Sequence, residues 1–144
     1  MRRYAQDTVV TVEKSKAQIE RLLMDFKATA FMSATNQMQA MIIFEMAERK
    51  IKFVVPLPQK AEFQRSRNPQ AAMEQATRTR WRALYLALRA KLEMAVTGIT
   101  TFENEFLAHI VMPDGQTVGE ITRPRIAQAY SSGEVRPLLE GPRT

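Results

Sequence analysis

The chain offers few side chains that could do chemistry, and most of them are cationic. His109 is the only histidine, and Glu105 stands four residues before it. On a helix the two would share a face. One His and one Glu do not complete a metal site, and the next acid, Asp114, belongs to a Pro-Asp-Gly turn. No metal and no cofactor is expected. The sequence has no cysteine, which excludes thiol nucleophiles, disulfides, Cys-ligated zinc and iron–sulfur clusters. GxxxxGK[ST], GxGxxG and a serine nucleophile elbow are all missing. Glu103 and Glu105 read as solvated helix residues rather than as an acid pair. No enzyme is expected.

The cations are unevenly placed. Net charge is +6, and the whole excess lies between Lys60 and Lys91. That window holds Lys60, Arg65, Arg67, Arg78, Arg80, Arg82, Arg89 and Lys91 against Glu62 and Glu74. The rest of the chain is balanced. A basic stripe on a neutral body suits a polyanion partner. The competing reading is a core helix whose arginines lay their stems over its apolar flank. Candidate phosphate contacts are Arg65, Arg67, Arg78, Arg80, Arg82, Arg89 and Lys91. Phe63, beside Arg65 and Arg67, is the candidate for stacking on a base. Trp81 falls inside an apolar stripe and is assigned to the core.

These residues need elements to position them. A chain of 144 residues with 45% hydrophobic and 25% charged side chains fits one globular domain. Thr8 to Val12 is β-branched and predicts a strand or extended lead-in. Ser15 with Gln18 forms a capping-box pattern, so a first helix is predicted over 16–27, with Ile19, Leu22, Leu23 and Phe26 on one face. Three short strands follow, over 29–35, 38–46 and 50–55. In the last, Ile51, Phe53 and Val55 alternate with Lys50 and Lys52. Pro56 and Pro58 end it, and the short turns imply an antiparallel meander. Residues 59–69 form a basic loop. A long amphipathic helix is predicted over 70–97, stopped by Gly98. Thr101 caps a short helix over 102–111. Pro113-Asp114-Gly115 is a tight turn, 117–121 a brief extended piece, and a last helix starts at Thr122 and Pro124 and ends at Gly133. The expected fold is α+β: an N-terminal helix, a three-strand antiparallel meander, a long helix packed on the sheet and two short C-terminal helices. One domain spans 1–133, and 134–144 form an irregular tail.

At about 100° per residue, with Arg78 as origin, Arg89 and Arg82 lie near 20° and 40° while Arg80 and Lys91 lie near 200° and 220°. The apolar stripe Trp81, Leu84, Tyr85, Leu88, Leu92, Val96 and Ile99 runs between them. The remaining arc holds Thr79, Ala83, Leu86, Ala87, Ala90 and Met94. This Ala-rich back suits close approach by another helix, so self-association through it is expected. The N-terminus has two arginines but no apolar core behind them, so no signal peptide is expected. The run from Met41 to Phe44 is too short to cross a bilayer. No membrane contact and a cytoplasmic location are expected.

The stretches RWRALYLALRAKLE, GITTFENEFLAHIVMPDGQTVGE and KFVVPLP resemble a family of uncharacterised small proteins encoded by phages and prophages. The resemblance covers most of the chain and implies a phage setting inside a host cell. The meander followed by a long helix is also similar, at the level of fold, to Rad52-like single-strand annealing proteins. These imply DNA transactions, or action against host defences. The leading expectation is a nucleic-acid-binding accessory protein, with DNA favoured, that contacts the backbone in recombination or replication. The alternative is an inhibitor or adaptor bound to a host defence protein. The third is a virion or assembly protein.

Overall fold

In the computed structural model, which describes residues 5–139, the first helix begins earlier than the capping pattern predicts. Helix α1 spans Val12–Asp25, and the Thr11 hydroxyl accepts a hydrogen bond from the Lys14 amide at 3.1 Å. Residues 8–11 form no strand. The reason is tertiary: starting at Val12 adds that side chain to the apolar stripe that Ile19, Leu22, Leu23 and Phe26 place against the core. Ser15 therefore sits inside the helix, fully buried, and its hydroxyl has no partner among the described residues.

Strands β1 (Ala30–Thr35), β2 (Gln39–Met46) and β3 (Arg49–Pro56) form the expected antiparallel meander in the order β1-β2-β3. Phe31 pairs with Phe44, and Phe44 with Ile51. The β2–β3 turn is Ala47-Glu48, both left-handed at φ 50° and 61°. Two left-handed residues give the mirror-image turn whose twist matches that of paired strands. One face of the sheet carries Ala40, Ile42, Phe44, Met46, Ile51 and Val55, all buried. The other carries Met32, Ala34, Met41, Ile43, Lys50, Lys52 and Val54, none of which joins the core. Met32 and Val54 stand exposed there.

Helix α2 (Pro69–Val96) and α1 together cover the buried face, with Ile19, Leu23, Trp81, Leu88 and Leu92 in one core with the strand residues. The two helices run in the same direction. Near the start of α1 the Gln75 amide donates to the Thr8 carbonyl at 2.8 Å, further on Arg82 donates to Gln18, and at the far end Phe26 and Val96 line one cavity. The predicted stripe of α2 holds through Leu92 and then fails. Val96 and Ile99 are 72% and 74% exposed. A helix of 28 residues is about 42 Å long, whereas an eight-residue strand reaches roughly 26 Å. The helix outruns the sheet that its stripe was meant to cover.

Thr101 caps α3 (Phe102–Phe106) as expected, accepting from the Asn104 amide at 3.1 Å. The predicted helix over 102–111 stops early. A single 3-10 turn follows at Leu107–His109, and Ile110 then bridges to Ile51 while the Val111 amide donates to the Lys50 carbonyl at 2.8 Å. The unpaired edge of β3 draws this segment into extended form. Phe106 closes the core, edge-to-face with Phe44 at 5.9 Å between ring centroids.

The last helix, α4 (Val118–Ser132), starts before Thr122. The Thr117 hydroxyl accepts from the Glu120 amide, and Pro124 lies within the helix. Gly119 is buried where α4 crosses the 3-10 turn, and a Cβ there would stand 2.9 Å from the Ala108 carbonyl oxygen. Gly119→Ala is expected to destabilise the fold. Overpacking of this kind costs about 1–3 kcal/mol, more than the gain of about 1 kcal/mol in helix propensity. A urea midpoint lower than wild type, at unchanged slope, is the expected reading. Gly133, left-handed at φ 75°, ends α4 as predicted. Residues 134–139 form no helix or strand. Arg125 donates to the Pro137 carbonyl, and Leu138 and Leu139 fold back to line a groove of about 770 Å³ with Leu107, Ile110, Val118 and Ile126. Residues 140–144 of the expected tail lie outside the described residues. Among the described residues, no helix is long and apolar enough to cross a membrane.

Candidate nucleic-acid interface

The seven cations marked as phosphate contacts divide into two groups. Five lie on α2, and each is already engaged with the protein. Arg78 donates to the Gln75 side chain. Arg80 donates to the Pro56 carbonyl at the end of β3. Arg82 donates to Gln18 on α1 and lies over the Tyr85 ring at 4.5 Å. Lys91 donates to the Glu105 carbonyl at 3.1 Å and stands 3.8 Å from the Glu105 carboxylate. Arg89 pairs with Glu93 at 3.2 Å. The hydrogen bond and charge of Glu93 raise the Arg89 pKa above its ordinary value.

Three of the five serve packing between elements, while Arg78 and Arg89 bond within α2 itself. Arg82 ties α2 to α1, Arg80 ties it to β3, and Lys91 ties it to α3. The two edges of the helix face different neighbours, so its cations do not meet on one surface. The Ala-rich back does remain accessible: Ala87, Ala90 and Met94 are exposed. Thr79, at its other end, donates to the Gln6 carbonyl at 3.2 Å.

Arg65 and Arg67 form the second group. Both are exposed, and neither has a hydrogen bond or ion pair with a described residue. Their loop is held at several points. The Gln59 side chain donates to the carbonyls of Gln37 and Leu57, at 3.1 and 3.0 Å. Residues Lys60–Phe63 make a 3-10 turn, and the Ser66 amide donates to the Phe63 carbonyl at 2.9 Å. Asn68 then caps α2, its side chain accepting from the Ala71 amide at 3.2 Å, with Pro69 at the first helical position. The segment read as an irregular loop is thus a tied one. Lys60 is exposed at its start, and Glu62 is the acid within it.

Phe63 is half-buried and lines a cavity with Ala72, Ala76 and Thr79 of α2. It also lines a second cavity with Glu62 and Arg65 of the loop. The first turn of α2 contains no acidic residue. The positive end of that long helix, equivalent to roughly half a unit charge, therefore adds to Arg65 and Arg67, with Glu62 the acid of the loop that opposes them. Periodicity identified the loop as separate from the helix, but nothing in the sequence said that the α2 arginines would find carbonyl and amide partners on distant elements.

His109 stacks on Phe53 with ring centroids 3.8 Å apart. Burial lowers its pKa, the charges of Lys91 and Arg123 add to the shift, and a backbone group of Lys52 opposes it. The sign follows. As pH falls below about 6.5 the unfolded chain takes the proton first, so His109 makes stability decline as pH drops toward 5. His109→Phe should flatten that part of the pH–stability curve, as read by thermal melts between pH 8 and pH 5. Among the described residues no group of His, Asp and Glu could hold a metal ion. No known family, curated protein or solved structure matches the chain.

Proposed function

We propose that this chain binds the phosphate backbone of nucleic acid, DNA in preference, through the loop 60–68 at the amino end of α2. The observation that carries the reading is the pair Arg65 and Arg67, exposed and unpaired among the described residues on a loop tied to the body. A tied loop loses little entropy when its cations meet an anion. The helix terminus strengthens the local potential. The contact is small and is proposed to lie on the backbone, so binding is weak and indifferent to sequence. An accessory role in a phage DNA transaction fits such a contact.

Fluorescence titration of labelled single- and double-stranded DNA at several salt concentrations tests it. With two or three phosphates neutralised, the log–log slope on duplex should lie between about −2 and −3. No binding at low salt would refute the proposal. Capture of a host protein from nuclease-treated lysate, together with absence of DNA binding, would assign the same cations to an acidic protein surface.

A further inference from the structure

The two edges of the sheet differ. The edge of β3 is met by Ile110 and Val111. The edge of β1 is met by no strand or bridge among the described residues. Five of its six residues are exposed. Its sequence, Ala-Phe-Met-Ser-Ala-Thr, has no charge and no proline, and its backbone has no left-handed residue. Isolated proteins protect an edge with lysine, proline, a bulge or a covering element. Among the described residues none of these devices is present on β1.

The ladder fixes which backbone groups face outward. The Asn36 amide donates to the Gln39 carbonyl at 2.9 Å. Hydrogen-bonded pairs alternate along an antiparallel ladder. So Ala34–Met41, Met32–Ile43 and Ala30–Glu45 are also bonded pairs. The amides and carbonyls of Phe31, Ser33 and Thr35 must then point away from β2. Ser33 is the middle one of these three.

We propose that β1 is a self-association edge, on which a second copy of this chain pairs its own β1 in antiparallel register about a two-fold axis through Ser33. That register sets Ser33 opposite Ser33 and Phe31 opposite Thr35. All three outward residues then fall in positions that exchange hydrogen bonds with their opposite number. The contact is isologous and closes at the dimer. No like charges meet, because β1 has none. The product is one continuous six-stranded sheet. On its outer face Met32 of one copy stands opposite Ala34 of the other, so these two apolar side chains meet across the junction. The inference stands on β1 alone and does not depend on nucleic-acid binding.

Sedimentation equilibrium of the full chain, from low micromolar to millimolar concentration, gives the test. A reversible monomer–dimer equilibrium is expected. Ser33→Pro removes an outward amide that β2 does not use, and Ser33→Lys sets two ammonium groups on the axis. Each should weaken the dimer at least about tenfold, since like charges placed opposite one another across strands are destabilising. Circular dichroism should show the fold intact. Should Ser33→Pro misfold, Ser33→Lys decides. In a chain without other thiols, Ser33→Cys should give a cross-linked dimer on oxidation, because bonded pairs lie about 5.5 Å apart at Cα, within disulfide reach. A monomer at every concentration, or a dimer indifferent to Ser33→Lys, overturns the proposal.

Discussion

Trp81→Ala should lower the unfolding free energy by about 3–5 kcal/mol, a large share of the roughly 5–15 kcal/mol typical of a domain. Trp81 is the largest of the fully buried side chains and shares one core with Phe44, Leu88 and Phe106. Removing the indole leaves a cavity between α2, α1 and the sheet. It also removes the ring over which the Lys16 ammonium stands, 4.8 Å from the centroid. That side chain would lose a favourable contact with the ring face. Trp81→Phe keeps most of the volume and should cost far less. Because Trp81 is the only tryptophan, the variant loses its fluorescence signal, and urea unfolding must be followed by circular dichroism. A loss below about 1 kcal/mol would mean that the core closes without the indole.

The second large effect concerns binding. Arg65→Glu with Arg67→Glu should reduce DNA affinity about 100-fold at low salt and flatten the salt dependence by about two units of slope. Both side chains are exposed and unpaired among the described residues, so stability should change by less than about 0.5 kcal/mol. Arg82→Glu is the informative contrast. Arg82 joins α2 to Gln18 and covers Tyr85, so its reversal should lower the melting temperature while leaving the affinity of the folded protein nearly unchanged. Equal loss of affinity in both variants would place the helix as well as the loop at the phosphate. Retained affinity in the double variant would remove the loop from the interface.

The α+β order was legible because its signals are local. Ile51, Phe53 and Val55 alternate along β3, and the proline that closes that strand is in the sequence. Trp81, Leu88 and Leu92 recur at helical spacing. The misplaced boundaries share another cause: two plausible caps stood near each other, and packing chose between them. At the first helix Thr11 prevailed over Ser15 because Val12 had a core to join. At the last helix Thr117 with Glu120 is itself a capping pattern, and Pro124 lies inside the helix rather than at its start. The helix predicted through Val111 ended at Phe106 because a sheet edge distant in sequence offered Val111 a hydrogen bond. The site was legible only as a charge excess. Charge counts do not reveal partners such as the Pro56 carbonyl or Gln18, which belong to other elements. The proposed site therefore contracts from seven cations to the two on the loop, supported by Lys60.

The loop 60–68 and the groove beneath Leu138 and Leu139 lie at opposite ends of the sheet. The loop is tied to Gln37 in the β1–β2 turn, whereas the groove borders Glu48 and Arg49 in the β2–β3 turn. The length of β3, roughly 26 Å, separates them. The Debye length at physiological ionic strength is about 8 Å. An anion held at one end is screened out before its field reaches the other. The two ends are therefore electrostatically independent, and any coupling between ligands bound there would have to pass through movement of α2 and the sheet themselves.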